Sequence, residues 1–246
     1  MKIDGAIALV TGGCGNLGRY ICDDLHSRGV KVIVADINKD TLAALPPHFA
    51  STAFDVTKPD DTKKAVAELI QTHGHIDILV NCAGSIVSAP FANILSPDKM
   101  MLSYEKFRHD VMINLDSVFI VTAAVVEWMI KKRTRGCIIN ISSISARGNA
   151  GQTAYAAAKA GVNAMTITWA KELGMLGIRC NAVAPGFIDT PSTHMALQES
   201  QIKHIINNTP LRSLGAPEDV AQAVSALIAN DFCNGVIFDV NGGLSF

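Results

Sequence analysis

Tyr155 and Lys159 are the two residues of this chain whose types and spacing most directly indicate chemistry. They lie four positions apart in a segment, Ala154 to Met175, that is predicted to be helical, so their side chains share one face. A tyrosine ionises near pH 10, and a neighbouring ammonium group lowers its pKa. A decrease of about 3 pKa units needs roughly 4 kcal/mol, which one close cation plus hydrogen bonds can supply. The pair therefore predicts proton transfer at neutral pH, although a surface helix can carry the same two residues without a function.

A glycine-rich segment follows the first predicted strand and begins the first predicted helix. It reads Thr11-Gly12-Gly13-Cys14-Gly15-Asn16-Leu17-Gly18. Glycines let the backbone turn sharply and approach a pyrophosphate bound at the helix N-terminus. Asp36 closes the second strand, 18 residues beyond Gly18, where a carboxylate can accept both ribose hydroxyls of an adenosine. The combination predicts a dinucleotide site; the alternative is a structural turn followed by a helix-capping aspartate.

Short runs of β-branched and apolar residues alternate with longer helical patterns along the chain. Strands are predicted at Ile7–Val10, Lys31–Asp36, Ser51–Asp55, Ile78–Asn81, Cys137–Ser142, Ile178–Val183 and Val236–Val240. Helices are predicted at Leu17–Ser27, Pro59–Thr72, Tyr104–Lys132, Ala154–Met175, Ser192–Asn207 and Pro217–Ala229. Most strands are apolar throughout, as in a parallel sheet buried on both faces. The pattern predicts one doubly wound α/β Rossmann domain over residues 1–246, with a mainly parallel seven-stranded sheet.

The composition argues against several classes of protein. The 246 residues are 49% hydrophobic with a formal net charge of −1, which allows a large core and gives no basic surface for nucleic acid or an acidic membrane. No uninterrupted apolar run approaches membrane-spanning length, and no secretory leader pattern is present. The six cysteines form no C-x-x-C, and the seven histidines show no metal-ligand spacing. We expect a cytoplasmic protein with free thiols, without a metal, nucleic-acid or membrane partner.

With these motifs in place, the whole chain resembles the short-chain dehydrogenase/reductase family. The family's turn reads T-G-x-x-x-G-x-G, which Thr11, Gly12 and Gly18 match. Asn16 stands at the middle glycine, and Gly15 precedes it by one place. Asparagine tolerates left-handed backbone better than other non-glycine residues, so the turn can survive this departure.

The resemblance implies a set of cofactor-binding residues. Asp55-Val56 ends the third strand where the family cradles adenine, and Asn81-Cys82-Ala83-Gly84 stands for the family's N-N-A-G. The run Pro185 to Thr190 looks like P-G-x-x-x-T, which meets the nicotinamide, and Asn241-Gly242-Gly243 resembles the closing D-G-G. The implied cofactor contacts are Gly12, Gly15, Asn16, Leu17, Gly18, Asp36, Ile37, Asp55, Val56, Asn81, Ala83, Gly84, Tyr155, Lys159, Pro185, Gly186, Ile188 and Thr190.

By the same resemblance, Asn114, Ser143, Tyr155 and Lys159 form the catalytic set. Tyr155 would be the general acid and base, and Ser143 would bind the substrate oxygen. Lys159 would lower the tyrosine pKa and hold the nicotinamide ribose, and Asn114 would anchor a water on a kinked helix. Alignment through the strand selects Ser143, whereas counting back from Tyr155 selects Ser142. Because loops absorb deletions more easily than buried strands, we expect Ser143 to be the catalytic serine.

The segment Gly148 to Gln152 resembles the bacterial 3-oxoacyl-ACP reductases, and Asn230 to Gly235 resembles 3-hydroxyacyl-CoA dehydrogenases. A 3-hydroxyacyl/3-oxoacyl thioester is therefore the expected substrate. A sugar, polyol or steroid alcohol is the alternative within enzymes, and a dinucleotide-sensing scaffold is the alternative outside them. An insertion at Ser85 to Ser103 carries Ile86, Val87, Phe91, Ile94, Leu95, Met100 and Met101. It is either a wall for an acyl chain or a surface loop with its own apolar cluster.

The cofactor and the assembly are also implied by the family. Its 3-oxoacyl reductases typically use NADPH and carry a basic residue inside the turn, which this chain lacks between Thr11 and Gly18. Asp36 would repel a 2'-phosphate, so NAD is the expected cofactor, with NADP possible if Lys39 reaches back. The family assembles through its two long helices and last strand, which predicts a homotetramer.

Overall fold

A computed structural model describes residues 2–86 and 88–245, apart from the side chain of Pro97. Val87 of the insertion lies outside the described residues. Seven parallel strands form one sheet in the order third, second, first, fourth, fifth, sixth, seventh. The strands are β1 (Ile7–Thr11), β2 (Lys31–Asp36), β3 (Ala50–Ala53), β4 (Ile78–Asn81), β5 (Cys137–Ile141), β6 (Arg179–Pro185) and β7 (Ile237–Val240). The predicted fold class is confirmed, and every described strand pairing is parallel.

Helices cover both faces of the sheet. They are α1 (Asn16–Ser27), α2 (Lys39–Ala43), α3 (Pro59–His73), α4 (Tyr104–Val111), α5 (Ser117–Lys132), α6 (Thr153–Leu173), α7 (Pro191–Ala196), α8 (Glu199–Asn208) and α9 (Pro217–Ala229). Side chains of α1 and α9 belong to one core cluster, and side chains of α3, α5 and α6 belong to the other. Along β1, Ala8 and Val10 face the first cluster, while Ile7 and Leu9 face the second. This burial on two faces explains why the strands are apolar throughout.

Several boundaries differ from the sequence prediction by one or two residues, and three differences are larger or concern site residues. The third strand ends at Ala53, so Asp55 and Val56 lie in the turn beyond it rather than at its end. The helix predicted from 192 to 207 is two helices, because Leu197 is extended and Gln198 caps the second one. The short helix α2 was not predicted; Asn38 caps it by accepting hydrogen bonds from two backbone N–H groups.

One long helix runs continuously from Tyr104 to Lys132, because a π-helical segment, Met112–Asp116, joins α4 to α5. Among the described residues, this is the helix that is long and apolar enough to cross a membrane, judged by length and composition alone. The mean hydropathy of its most apolar window is 1.6. In the structure, 44% of that window is buried. Val121, Val125 and Met129 pack in the second core cluster. These are the contacts of a core helix.

Candidate active site

The predicted site residues gather at the carboxyl ends of the central strands. Strands β1 and β4 are neighbours in the sheet. The chain continues from β1 towards β2 on one side and from β4 towards β5 on the other. This change of direction opens a crevice at the carboxyl ends of β1 and β4. The glycine-rich turn follows β1, Asn81 to Gly84 follow β4, and Ser142 and Ser143 follow β5. The segment from Pro185 to Thr190 follows β6.

The glycine-rich turn is packed closely against the segment after β4. Gly12 has φ +62°, and a Cβ there would lie 2.7 Å from the Ala83 Cα. A Cβ at Gly18 would lie 2.1 Å from the Gly12 carbonyl oxygen. Thr11 joins the glycine-rich turn to the segment after β4, because its Oγ1 accepts hydrogen bonds from the N–H groups of Cys82 and Ala83, both at 3.2 Å. Two of these turn positions therefore exclude any side chain.

The N-terminus of α1 is open to a ligand. Gly15 is the N-cap, and within the described residues no side chain caps this helix end. Gly15 and Asn16 are exposed, and Leu17 is half-buried. The first N–H groups of a helix bind anions, so this end offers backbone donors to a phosphate.

Asp36 lies at the end of β2, beside this turn. Its Oδ2 accepts the Cys14 N–H at 3.2 Å, and its Oδ1 accepts the Asn38 N–H at 3.1 Å. These bonds fix the carboxylate, and each oxygen keeps a lone pair for a ribose hydroxyl. The next residue, Ile37, is 67% exposed, as a side chain that contacts a ligand ring would be.

The side chains of Asp55 and Asn81 are held by hydrogen bonds within the protein. Asp55 Oδ1 accepts the N–H and hydroxyl of Thr57 at 2.9 and 2.7 Å, which shapes the turn that carries Val56. Asn81 is buried, and its Nδ2 donates to Thr122 Oγ1 at 2.9 Å and Asn140 Oδ1 at 2.8 Å. The Asn81 side chain therefore joins β4 to α5 and β5.

Tyr155 and Lys159 are both buried on α6, at 7% and 4% exposure. The Lys159 Nζ lies 5.7 Å from the centre of the Tyr155 ring and donates a hydrogen bond to the Ile141 carbonyl oxygen at 2.8 Å. Burial lowers the pKa of Lys159 to about 8, and the nearby acidic groups of Cys82 and Asp110 oppose this decrease in part. The amine is thus held at the end of β5 with its charge weakened by desolvation.

The predicted decrease in the Tyr155 pKa is wrong for this structure. Burial raises the pKa of Tyr155 to about 12, and a side-chain hydrogen bond with Ser143 opposes that rise in part. Desolvation penalises the phenolate by more than Ser143 favours it, and the nearby acid Asp110 disfavours it further. Tyr155 is therefore a protonated acid at neutral pH, which is the form needed to donate a proton.

The two candidate serines have different surroundings. Ser143 caps the short 3₁₀ helix Ile144–Arg147 by accepting the Ser145 N–H at 3.1 Å, and its side chain hydrogen-bonds Tyr155. Ser142 is buried, and its Oγ donates to Asn163 Oδ1 at 2.6 Å. The structure brings Ser143 to the tyrosine hydroxyl and places Ser142 in a contact between β5 and α6.

Asn114 lies in the π-helical segment and is fully buried. Its Nδ2 donates to the carbonyl oxygen of Ser85 at 2.8 Å and to Asp110 Oδ1 at 2.5 Å, and its Oδ1 accepts the Ser85 N–H at 3.1 Å. A Cβ at Gly84 would lie 2.8 Å from Asn114 Oδ1 and 3.7 Å from Lys159 Nζ. The bare backbone of Gly84 thus separates the asparagine from the lysine.

The segment after β6 is fixed to the neighbouring strand end. The Gly186 N–H donates to the Val240 carbonyl oxygen at 2.8 Å, and a Cβ there would lie 2.9 Å from the Asn241 Cα. Ile188 is buried and pairs with Gly215. Thr190 is also buried and caps α7 by accepting the Thr193 N–H at 3.3 Å. Pro185, the last residue of β6, leads into this segment.

The insertion contacts the segment that precedes Tyr155. Ala89 forms a parallel bridge with Gln152, and Gln152 Nε2 donates to Ser88 Oγ at 3.4 Å. The insertion therefore borders the site at the start of α6. Its exposed apolar side chains are Ile86, Phe91, Ile94, Leu95, Met100 and Met101.

Two residues of this region were missed as site residues. Thr11 joins the two strand-end segments through its hydroxyl, and Asp110 contacts Asn114. The spacing of four between Asp110 and Asn114 placed them on one helix face and could have indicated the contact.

The chain is similar to known proteins over nearly its whole length. A family model described as enoyl-(acyl carrier protein) reductase matches residues 14–245. The chain is 38% identical to a 3-oxoacyl-[acyl-carrier-protein] reductase of Thermotoga maritima, over 99% of both chains. It is 36% identical to a (3R)-3-hydroxyacyl-CoA dehydrogenase of Canis lupus familiaris, over 99% of this chain and 98% of the relative. A solved structure, described as that of gox2181, superposes with a TM-score of 0.88 at 30% identity, covering 98% of this chain and 97% of that one.

Proposed function

Because the chain belongs to the short-chain dehydrogenase/reductase family and is an oxidoreductase of that NAD(P)-dependent family, we propose that it interconverts 3-hydroxyacyl and 3-oxoacyl thioesters. The relatives named above act on such thioesters, and so does an acetoacetyl-CoA reductase of Allochromatium vinosum, which is 36% identical over 97% of this chain and 98% of the relative. The Ser143 side chain beside Tyr155, with Lys159 one turn further along α6, is the observation that carries the proposal.

Tyr155 is the proton donor in reduction. Its buried hydroxyl is protonated at neutral pH, and it transfers that proton to the carbonyl oxygen as the carbon receives a hydride. Ser143, half-buried beside the tyrosine, donates a hydrogen bond to the same oxygen while negative charge develops on it. In oxidation, the phenolate of Tyr155 takes the alcohol proton, so both directions use the same two groups.

The turn after β1 and the segments after β2, β4 and β6 would hold a nicotinamide dinucleotide, which supplies the hydride chemistry when bound. The side-chain-free positions Gly12 and Gly18 and the open N-terminus of α1 suit a pyrophosphate. The carboxylate of Asp36 suits the hydroxyls of an adenosine ribose. In this proposal, the Lys159 ammonium group would donate to the nicotinamide ribose.

Asp36 also favours NAD(H) over NADP(H), because its carboxylate repels a 2'-phosphate. Arg19 is turned away from it: the Arg19 Nε donates to Asp23 Oδ2 at 2.9 Å, and the guanidinium lies over the Phe49 ring. We infer that the cofactor of this enzyme is NAD(H).

The insertion between β4 and α4 forms one wall for the acyl chain. The insertion borders the start of α6 through the Ala89–Gln152 bridge, and it carries exposed apolar side chains. Met195 on α7 is 82% exposed and lies in the segment that follows Thr190, so it provides apolar surface after β6. Covering an acyl chain would remove this surface from water at about 25 cal/mol per Å².

The chain forms a homotetramer through α5, α6 and β7 in this proposal. Large apolar side chains are exposed on all three elements: Phe119 and Ile130 on α5, Ile167 on α6 and Phe238 on β7. Contact between copies would bury these side chains, which stabilises association.

A substrate panel tests the proposed function. The purified protein is assayed for NADH and NADPH oxidation with acetoacetyl-CoA, a longer 3-oxoacyl-CoA and a 3-oxoacyl-ACP, and for reduction of NAD with free polyols. We expect turnover with at least one thioester at a kcat/KM at least about 10-fold above that for any polyol.

Tyr155→Phe is the negative control, and Tyr104→Phe, at an exposed tyrosine, is the matched control. Turnover of a polyol above every thioester would overturn the substrate class. Cofactor binding without any turnover would instead favour the dinucleotide-sensing scaffold.

A further inference from the structure

Asp110 is a buried carboxylate that the proposed proton transfer does not use. It lies on α4, one turn before Asn114, and is 1% exposed. Its Oδ1 accepts the Asn114 Nδ2 donor at 2.5 Å, and its backbone oxygen accepts from the same amide at 3.0 Å. Its Oδ2 has no hydrogen-bond partner within the described residues. Leaving a buried polar oxygen unpaired costs about 1–3 kcal/mol, so a purely structural role for this acid is unfavourable.

A continuous set of contacts leads from Asp110 to Lys159. Asp110 holds the amide of Asn114, and Asn114 binds both the N–H and the carbonyl oxygen of Ser85. The Asn114 Oδ1 and the Lys159 Nζ both lie near Gly84. A Cβ on Gly84 would lie 2.8 Å from the asparagine oxygen and 3.7 Å from the lysine nitrogen. Displacing Asn114 would therefore move the backbone that separates it from the lysine.

Asp110 also faces the ionisable groups of the site. These are Tyr155 and Lys159 on α6 and, on its own helix, His109; Cys82, after β4, interacts with the same tyrosine and lysine. Burial raises the pKa of Cys82 to about 12, so its thiol is uncharged at neutral pH. Burial also raises the pKa of Asp110, but the Asn114 hydrogen bond and the charges of His109 and Lys159 favour its anion. Among these groups, Asp110 is the carboxylic acid that interacts with both Tyr155 and Lys159.

We propose that Asp110 is a positioning residue for the reaction at Tyr155: it fixes Asn114 by a hydrogen bond and holds a negative charge facing Tyr155 and Lys159. The proposal rests on the proposed function, because the effect of the charge is measured on the oxidoreductase reaction. Asp110 acts through its neighbours and donates no proton to the substrate.

Two substitutions separate the hydrogen bond from the charge. Asp110→Asn keeps an acceptor for Asn114 and removes the charge, whereas Asp110→Val removes both. The pH profile of kcat/KM is measured for oxidation of a 3-hydroxyacyl-CoA with NAD. We expect both the acid and the alkaline limb of this pH profile to move to lower pH in Asp110→Asn. Without the anion, the Tyr155 phenolate forms more readily and the Lys159 ammonium group loses its proton more readily. A displacement of about half a pH unit raises the relative rate on the acid limb about threefold.

Asp110→Val should lower kcat about 10-fold or more, because Asn114 loses its acceptor and the site is misplaced. Asp116→Asn is the matched control, since Asp116 is an acid of the same long helix with a 40% exposed side chain paired with Arg108. Asp116→Asn should leave both limbs of the pH profile at the pH values of the unmodified protein. The proposal is overturned if Asp110→Asn moves neither limb beyond this control, and this result decides the matter even where Asp110→Val does not fold.

Hydrogen exchange at the Ser85 amide gives a second readout that needs no turnover. This N–H donates to Asn114 Oδ1, so its exchange should be faster in Asp110→Val and unchanged in Asp110→Asn. If the unmodified protein turns over no substrate, the proposed function fails while this measurement still tests the positioning. Wild-type exchange in a folded Asp110→Val protein would remove the positioning role.

Discussion

Lys159 follows Tyr155 by one turn of α6, and its Nζ lies 5.7 Å from the centre of the Tyr155 ring while donating to the Ile141 carbonyl oxygen. Both side chains are buried, and burial acts on them in opposite directions: the pKa of Tyr155 rises to about 12 and that of Lys159 falls to about 8. Each residue is thus shifted towards its neutral form. Proton donation by Tyr155 is favoured at neutral pH, and proton removal becomes easier as the pH rises.

Tyr155→Phe should lower kcat by at least about 100-fold, the low end of general acid–base contributions, because the ring remains but the transferable proton is lost. Cofactor binding, followed by NADH fluorescence, should be retained. Tyr104→Phe removes the hydroxyl of an exposed tyrosine and should keep wild-type kcat. Wild-type-like turnover in Tyr155→Phe would exclude this residue from the chemistry.

Ser143→Ala should lower kcat more than Ser142→Ala does. Ser143 hydrogen-bonds Tyr155 and is half-buried at the site, whereas the Ser142 hydroxyl is buried against Asn163. Ser142→Ala should instead lower the free energy of unfolding by about 1 kcal/mol, the value of one lost hydrogen bond. Steady-state kinetics and urea unfolding of both variants measure these effects. The opposite kinetic order would show that Ser142 binds the substrate oxygen.

Lys159→Met should abolish turnover yet stabilise the free protein. Desolvation lowers the pKa of Lys159 to about 8, so below pH 8 the folded state holds a destabilised ammonium group. Removing it should raise the free energy of unfolding at pH 7 by about 2 kcal/mol, after the loss of the hydrogen bond to Ile141. Between pH 8 and 10.5 the unfolded chain binds more protons at this lysine, so wild-type stability rises and the difference shrinks. Thermal unfolding across this range provides the measurement; a variant no more stable than wild type at pH 7 contradicts the argument.

The sheet could be predicted from the sequence because its strands are apolar on both faces. Ile7 to Val10 and Ile78 to Val80 are apolar without interruption, and the structure buries all of these residues. The helix boundaries in the more polar segment after β6 could not be predicted in this way. Nothing in the periodicity from Ser192 to Asn207 indicates that Leu197 is extended and that α8 starts afresh after Gln198.

Features of the candidate site that depend on residue type and spacing could be predicted from the sequence. Features that depend on the burial of a side chain could not. The strand-turn-helix context of Gly12 to Gly18 is visible in the sequence, as is the spacing of Tyr155 and Lys159. The direction of the tyrosine pKa depends on desolvation, which spacing does not report. The spacing of four between Asp110 and Asn114 could have indicated their contact, but the burial of Asp110, which makes it unlike an ordinary helix acid, is visible only in the structure.

The assembly can be tested with one charge placed on an exposed apolar side chain. The unmodified protein should have the mass of a tetramer, or failing that of a dimer, by light scattering at micromolar concentration. Phe238→Glu on β7 should dissociate it, because a buried unpaired carboxylate at a contact between copies is costly. Phe232→Glu, at a 99% exposed side chain outside the three elements, is the matched control and should keep the wild-type mass. A monomeric wild-type protein would defeat the proposal.

Asp36 should make the enzyme prefer NAD(H). At about 4 Å and an effective dielectric constant of 20, each pair of unit charges repels by roughly 4 kcal/mol, which exposure and salt reduce to about 2–3 kcal/mol. We therefore expect kcat/KM to be about 30- to 150-fold higher with NADH than with NADPH. Asp36→Ser removes the repulsion and should shift the preference towards NADPH, whereas Asp40→Ser, at an exposed acid in the first turn of α2, should leave it unchanged. Equal or better kcat/KM with NADPH in the unmodified protein would overturn the assignment, and would show that Lys39 or another cation compensates the carboxylate.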